Sequence, residues 1–328
     1  MAYETELRVA LEAAREAAAL CQDVRLEMAS SGSPSQALTK EDHSPVTVAD
    51  FGSQALVCRR IAESFPDDSI VAEEDATELR EPANRETGER VASYVARYHS
   101  ADADKVKSWI DLGNGAVGPR YWTVDPIDGT KGFLRQDQYA VAIALVEAGE
   151  VQVGVLACPA LSLNEDEGCL FAAVRGEGVS QMSLTGGGTT GIRVADGNEP
   201  SLRRFVESVE ASHGNHELQR AIATAAGIEA PSLRMDSQAK YGAVARGDAV
   251  LYLRLPSPKY PDYREKVWDH AAGTLVVEEA GGQVTDLLGA RLDFTAGQRL
   301  EKNRGVVVSN GALHATVIDA LKPSARSM

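Results

Sequence analysis

Apolar residues recur at helical spacing from the start of the chain. Leu7, Leu11, Ala14, Ala18 and Cys21 follow one another at intervals of 4, 3, 4 and 3. That spacing predicts an amphipathic helix over 4–28. Small and polar residues from Ser30 to Ser35 predict a loop. A second helix is predicted to begin near Thr47, with Val48, Phe51, Ala55, Cys58 and Phe65 as its apolar stripe. Ser69 to Ala72 is a short apolar segment running into Glu73-Glu74-Asp75. Residues 76–108 are highly charged, with Pro82 and Gly88 as breaks, and predict solvated helix and loop with no chemistry.

The middle of the chain reads as strands. Tyr121 to Val124 predicts a strand ending at the Asp125-Pro126 turn. Tyr139–Val146 and Val151–Leu156 flank Glu147-Ala148-Gly149-Glu150 and predict a β-hairpin. Leu170–Val174 and the turn at Arg175–Gly178 continue that sheet. Gly186-Gly187-Gly188 marks a flexible loop where two domains can part. From about residue 202 strands and helices alternate: strand Phe205–Glu210, helix His216–Ala226, strand Val250–Leu253, helix Val267–Ala280, strand Val306–Ser309 and a C-terminal helix. Gly281-Gly282 is the stop signal of the helix before it.

Length and composition narrow the class. At roughly 150 residues per domain, 328 residues suggest two domains. The expected division is 1–200, an α+β part, and 201–328, an α/β part. Lys plus Arg is 33 and Asp plus Glu is 48, a net charge of −15, which argues against a general nucleic-acid or membrane-surface binder. Aromatic residues are 5%, too few for a base-stacking platform. Cys21, Cys58, Cys158 and Cys169 show no C-x-x-C spacing, which predicts free, half-buried thiols in a reducing compartment. No apolar run reaches the ~18 residues of a membrane span. The N-terminal stretch carries Glu4, Glu6, Glu12 and Glu16 and lacks a basic–apolar leader. A cytoplasmic location is expected, an organelle staying open if a transit segment was removed.

The most informative stretch is Trp122-Thr-Val-Asp125-Pro-Ile-Asp128-Gly-Thr130-Lys. Two carboxylates stand three residues apart after a strand, with Pro126 and Gly129 fixing a tight turn. Such a turn can aim Asp125, Asp128 and a backbone carbonyl at one hard cation such as Mg²⁺. The N–H groups at Gly129 and Thr130 would suit a phosphate. Other acidic spots join the pattern: Glu73 and Glu74 after a short strand, Asp50 in Thr47-Val-Ala-Asp50, and Asp269 opening a helix in Val267-Trp-Asp269-His. Each also has an ordinary structural reading. Asp125 and Asp128 fit turn signals, Glu73 and Glu74 a charged loop, Asp50 a capping box with Thr47, and Asp269 a helix-dipole carboxylate.

In this order these residues resemble the lithium-sensitive, magnesium-dependent phosphatase superfamily, which includes inositol monophosphatases, inositol polyphosphate 1-phosphatases and fructose-1,6-bisphosphatases. The shared pattern is Asp-Pro-Ile-Asp-Gly-Thr, an upstream Glu-Glu and a downstream Trp-Asp. The resemblance narrows to the 3′(2′),5′-bisphosphate nucleotidases through Ser44-Pro-Val-Thr-Val-Ala-Asp50, Asp236-Ser-Gln-Ala-Lys-Tyr241, Leu251-Tyr-Leu-Arg-Leu-Pro256 and Lys266-Val-Trp-Asp-His-Ala-Ala-Gly273. It runs from about residue 5 to 315. It departs in the loop Ser257–Arg264, slightly longer than usual, and in 76–108, which shows no family landmark.

The resemblance implies a layered αβαβα sandwich with the active site between an α+β half and an α/β half. It implies that Glu73, Asp125 and the carbonyl of Ile127 hold one Mg²⁺, and that Asp125, Asp128 and Asp269 hold a second, with a third, weaker ion. It implies that Thr130 and Asp50 form the pair that activates the attacking water. Leu134 and Phe133 would be wall residues. Gly129, Thr130 and Asp269 would meet substrate, and Ser237, Lys240 and Arg254 the nucleotide and its non-reacting phosphate. His213 would lie against the nucleotide, with His216 as a close competitor. The expected reaction is Mg²⁺-dependent hydrolysis of the 3′-phosphate of adenosine 3′,5′-bisphosphate (PAP) to AMP, with action also on 3′-phosphoadenylyl sulfate (PAPS). The alternative is an inositol polyphosphate 1-phosphatase or inositol monophosphatase activity. The expected partner is the small nucleotide alone, with no nucleic acid or membrane, and the expected state a monomer.

Overall fold

The computed structural model describes residues 2–31, 38–39, 45–163, 168–198, 203–209, 215–257, 259–260 and 262–325. The first helix, α1, is Glu4–Ser31, three residues longer than its apolar spacing predicts. After the short antiparallel pair β1 (Leu38–Thr39) and β2 (Pro45–Val46), helix α2 spans Val48–Ser64. Thr47 caps it: Thr47 Oγ1 accepts from Ala49 N at 3.1 Å, and Asp50 Oδ2 accepts from Thr47 N at 2.8 Å. The predicted capping box is therefore present.

Strand β3 (Ser69–Ala72) leads to α3 (Thr77–Arg80), α4 (Arg85–Val95) and α5 (Ala103–Ile110). These three helices correct the expectation of a merely solvated segment. Leu79, Val91, Tyr94, Val95, Val106 and Ile110 are buried in the core that α1 and α2 share. The charges on their outer faces are what the sequence shows most loudly. Next come β4 (Arg120–Asp128), α6 (Thr130–Leu134), β5 (Ala140–Glu147), β6 (Glu150–Cys158), β7 (Cys169–Val174), β8 (Gly178–Ser183) and β9 (Thr190–Gly191). The strands form one sheet in the order β3-β4-β5-β6-β7-β8-β9. The Gly186–Gly188 loop joins two strands of this same sheet. The β5–β6 hairpin forms as predicted, turning at Ala148 (φ 51°) and Gly149 (φ 80°). Left-handed backbone at both central positions matches the twist of the flanking strands.

The rest of the chain supplies β10 (Phe205–Glu207), α7 (His216–Ala225), β11 (Leu233–Arg234), α8 (Ala239–Ala245), β12 (Leu251–Arg254), α9 (Ala271–Glu279), β13 (Gln283–Thr285), β14 (Val306–Ser309) and α10 (His314–Ala325). The second sheet runs β11-β10-β12-β14-β13. Three apolar cores define five layers. One lies between α1, α2 and the large sheet, one between that sheet, α8, α9 and the small sheet, and one between the small sheet, α7 and α10. The αβαβα order expected from the resemblance is observed. It explains why β5, Ala-Val-Ala-Ile-Ala-Leu-Val-Glu, has no polar face: helices cover both sides of its sheet. The four cysteines are free and fully buried rather than half-buried. No helix among the described residues is long and apolar enough to cross a membrane.

Candidate active site

Pairing of β3 with β4 is parallel, with Ala72 opposite Val124. The β3–β4 pairing ends at that level, so Glu73 and Asp125, the next residue on each chain, emerge side by side. Glu73 N donates to Val124 O at 3.2 Å. From α2, Gln54 grips the following residue through both side-chain atoms, accepting from Glu74 N at 2.9 Å and donating to Glu74 O. β4 does not stop at Val124, as predicted, but continues to Asp128 through a register shift between Asp125 and Asp128. Pro126 has no N–H to give a ladder, which suits it to such a bulge. Its carbonyl accepts Ser53 Oγ at 2.8 Å. The bulge turns Asp125 and Asp128 toward one region, and Gly129, at φ 88°, then swings the chain into α6.

Asp269 arrives from the other side. The predicted helix over Val267–Ala280 is shorter than expected. Trp268, Asp269 and His270 form a turn, and helical geometry starts at Ala271. Gln238 fastens this turn in place. Its Nε2 donates to Trp268 O at 2.9 Å, its Oε1 accepts from Gly273 N at 3.1 Å, and its backbone N–H donates to Asp128 Oδ2 at 2.6 Å. The carboxylates from β4 and from the α9 turn are thus joined through one residue. The preceding Ser237 has φ 67°, a strained conformation for a residue with a Cβ, of the kind that concentrates at functional sites.

The result is a cleft lined by Glu73, Asp128, Gly129, Thr130, Ser237, Lys240, Arg254 and Asp269 among others. Asp125 and Ile127 are buried beneath it. Asp125 Oδ1 is buried with no hydrogen-bond partner. Burial, reinforced by Glu73, Asp128, Asp269 and Asp50, pushes the Asp125 carboxyl well above the usual range. Burial and Asp128 do the same to Asp269. Asp128 is raised by burial, against the pull of Lys240 and the Gln238 N–H. Carboxylates so arranged favour a bound cation, which would restore their ionised forms. The all-oxygen donor set and the orphaned Asp125 Oδ1 fit a hard divalent ion.

Asp50 and Thr130 meet as expected. Thr130 Oγ1 lies 3.1 Å from Asp50 Oδ1 and 3.3 Å from Ile127 O. The two oxygens of Asp50 divide the labour: Oδ2 caps α2 and Oδ1 faces Thr130. The capping reading of this residue is realised, while its other oxygen stays turned to Thr130. Lys240 is 4% exposed and makes no ion pair among the described residues, its closest cationic contact being the face of Tyr252 at 5.1 Å. Burial brings its pKa down to about 8, although Asp128 and Asp236 pull the other way. Arg254, the last residue of β12, gives its Nε to both oxygens of Glu265 at 3.1 and 3.2 Å. Its terminal nitrogens carry no protein hydrogen bond among the described residues.

A profile of the inositol monophosphatase family matches residues 3–325. The chain belongs to that family. It is 43% identical over 344 residues to a 3′(2′),5′-bisphosphate nucleotidase of Oryza sativa, covering 98% of this chain and 94% of that one. It is 42% identical over 350 residues to 3′(2′),5′-bisphosphate nucleotidase 1 of Arabidopsis thaliana, covering 99% and 97%. The fold is that of the inositol monophosphatase from Anabaena (Nostoc) sp. PCC 7120, with a TM-score of 0.64, 24% identity, and coverage of 98% and 97%. Inositol monophosphatases are generally metal-dependent, in keeping with the carboxylates gathered here.

Other residues line the cleft without having been singled out from the sequence. Lys131, Gly132, Asp236, Gln238, Tyr241, Tyr252, Glu265 and His270 all do so. Asp236, Gln238 and Tyr241 stand inside the stretch that carried the resemblance, so adjacency to Ser237 and Lys240 was the available signal. Asp236 is buried and ion-paired to Arg135. Phe133 corrects another expectation. It is fully buried and packs edge-on against Tyr139 at 5.1 Å, and neither it nor Leu134 forms the cleft wall. His213 lies outside the described residues. Its competitor His216 begins α7, 3.5 Å from the buried Glu207 carboxylate, and does not line the cleft.

Proposed function

We propose that this chain is a Mg²⁺-dependent phosphomonoesterase that removes the 3′-phosphate of adenosine 3′,5′-bisphosphate, giving AMP and phosphate, and that also accepts 3′-phosphoadenylyl sulfate. The observation that carries the reading is Lys240: a buried ammonium with no direct ion pair among the described residues, in one cleft with the Glu265-tethered Arg254 and the acidic cluster. A second phosphate on the substrate is the partner such a pair calls for. The names of the relatives agree with that substrate.

Glu73, Asp125, Asp128, Asp269 and the carbonyl of Ile127 would hold the metal. Bound there, divalent ions lower the pKa of water and stabilise charge on the phosphoryl oxygens and the leaving oxygen. The chain supplies the rest. Thr130 Oγ1 donates to Asp50 Oδ1, leaving its lone pairs to accept from, and so orient, the attacking water; a proton taken by Thr130 passes on to Asp50. Glycine at 129 permits the left-handed turn (φ 88°) and the close packing against Ser237, whose Cβ would stand 3.0 Å from a Cβ at 129, and so lets the chain turn into α6 beside Thr130. Ser237, Lys240 and Arg254 would hold the nucleotide and its non-reacting phosphate. Neighbouring cations and bound metal reverse the local field of a chain that is acidic overall.

The test compares kcat/KM for adenosine 3′,5′-bisphosphate with that for inositol 1,4-bisphosphate at saturating Mg²⁺. A preference for the nucleotide is expected. A preference for the inositol substrate would overturn the assignment in favour of an inositol phosphatase.

A further inference from the structure

Glu265, Asp269 and His270 present ligand-type atoms within 4.8 Å of one another. At first sight this is a second cation site beside the first. The hydrogen bonds say otherwise. Both Glu265 oxygens are engaged by Arg254 Nε, at 3.1 and 3.2 Å. Glu265 Oε2 also stands 3.3 Å from His270 Nε2, and His270 Nδ1 stands 2.7 Å from Tyr241 Oη. The guanidinium thus occupies the place a metal would take at Glu265. The carboxylate side chain is 6% exposed and the Tyr241 and His270 rings behind it are buried, so the chain Arg254–Glu265–His270–Tyr241 has little room to rearrange.

An arginine held through Nε keeps its two terminal NH₂ groups free, and these have no protein acceptor among the described residues. Arg254 lines the cleft together with Lys240. Two terminal nitrogens at a fixed orientation match two oxygens of a phosphate, and holding them before substrate arrives removes the cost of ordering a long side chain. We propose that Glu265 is a positioning residue for specificity. Backed by His270 and Tyr241, it holds Arg254 as a fork for the non-reacting phosphate and takes no part in binding metal. The proposal rests on the nucleotidase reading above and assigns that site its second layer.

The experiment is a double-mutant cycle of Glu265→Gln and Arg254→Ala, read on adenosine 3′,5′-bisphosphate and on adenosine 3′-monophosphate, which lacks the second phosphate. Glu265→Gln should raise KM for the bisphosphate about 10-fold, about 1.4 kcal/mol, with kcat within 2-fold and KM for the monophosphate unchanged. In the Arg254→Ala background it should add nothing further. The Mg²⁺ concentration for half-maximal activity should stay where it is in the wild type. Equal KM effects on both substrates, additivity with Arg254→Ala, or a several-fold shift in the Mg²⁺ requirement would each overturn the proposal, the last by making Glu265 a metal ligand. If Glu265→Gln does not fold, Tyr241→Phe is read instead. It should raise KM for the bisphosphate alone by 2- to 3-fold, and no change, or an equal change on both substrates, overturns the proposal. A wild type that does not prefer the bisphosphate removes the substrate reading and this proposal together. Preference in the wild type with additivity in the cycle removes this proposal alone.

Discussion

Replacing Lys240 with methionine separates what the ammonium does for binding from what it does to stability. Burial moves its pKa from the ordinary 10.5 to about 8. At about 1.4 kcal/mol per unit of pKa, holding the charge there without a bound anion costs the fold about 3 kcal/mol. The sign follows from proton counts. Between pH 8 and 10.5 the unfolded chain keeps the proton and the folded chain has released it, so the wild type gains stability as pH rises through that window. Below pH 8 both states are protonated and the full cost remains. Methionine is of comparable length and uncharged. In chelator and without phosphate, Lys240→Met should therefore gain about 3 kcal/mol over the wild type at pH 7 from loss of the charge alone, about 2 kcal/mol net of the Tyr252 contact. The gap should close between pH 8 and 10.5. Loss of the Tyr252 face contact at 5.1 Å returns part of this, about 1 kcal/mol. Urea titrations at pH 7 and pH 10.5 read the difference, and initial velocities read binding. KM for the bisphosphate should rise about 10- to 100-fold, the worth of a charged hydrogen bond. A variant no more stable than the wild type at pH 7, or a gap equal at both pH values, would refute the reasoning.

Asp125→Asn should abolish Mg²⁺-dependent phosphate release while leaving the metal-free melting temperature equal or higher, because it removes a buried carboxyl that resists ionisation; full activity would remove Asp125 from the metal assignment. Thr47→Ala should cost about 1 kcal/mol of stability through the lost cap with kcat little changed, whereas Asp50→Asn should lower kcat about 100-fold at nearly wild-type stability; urea midpoints and phosphate release distinguish the two. The thiols of Cys21, Cys58, Cys158 and Cys169 are buried and their pKa values are pushed up chiefly by burial. An aromatic disulfide reagent should titrate none of them in the native protein and all four in urea, and rapid native labelling would contradict the burial.

Local chemistry was legible in the sequence and tertiary burial was not. The capping box at Thr47 and Asp50, the hairpin turn at Ala148-Gly149 and the α1 stripe are short-range patterns, and each is found where the residues predict it. The resemblance gave the layer order. Charge misled over 76–108, because an amphipathic helix with a narrow apolar stripe reads as polar by composition, although Val91, Val95 and Val106 are buried. The start of α9 was missed because Gln238, some thirty residues upstream, takes the Trp268 carbonyl. Lys240 and Glu265 carry no local mark of burial. A lone lysine in sequence is mostly a surface lysine, and only packing of α8 between the two sheets makes it a group that needs an anion.

The cleft holds two kinds of buried charge that are each unfavourable alone. Asp125, Asp128 and Asp269 resist losing their protons, and Lys240 releases its proton early. A cation among the carboxylates relieves the first group, and an anion at Lys240 relieves the second. Because all of these residues meet one cleft or its floor, cation and anion also attract each other there, so each raises the affinity of the other by the same factor. Calorimetric titration of Mg²⁺ should show several-fold tighter binding in the presence of inorganic phosphate than in its absence, at matched free Mg²⁺. In Asp125→Asn the phosphate effect should shrink with the metal affinity. In Lys240→Met the phosphate effect should shrink while Mg²⁺ alone binds as well as before or better, since a nearby positive charge is gone. Phosphate that left Mg²⁺ binding unchanged, or weakened it, would mean that the two groups of charges do not share a site.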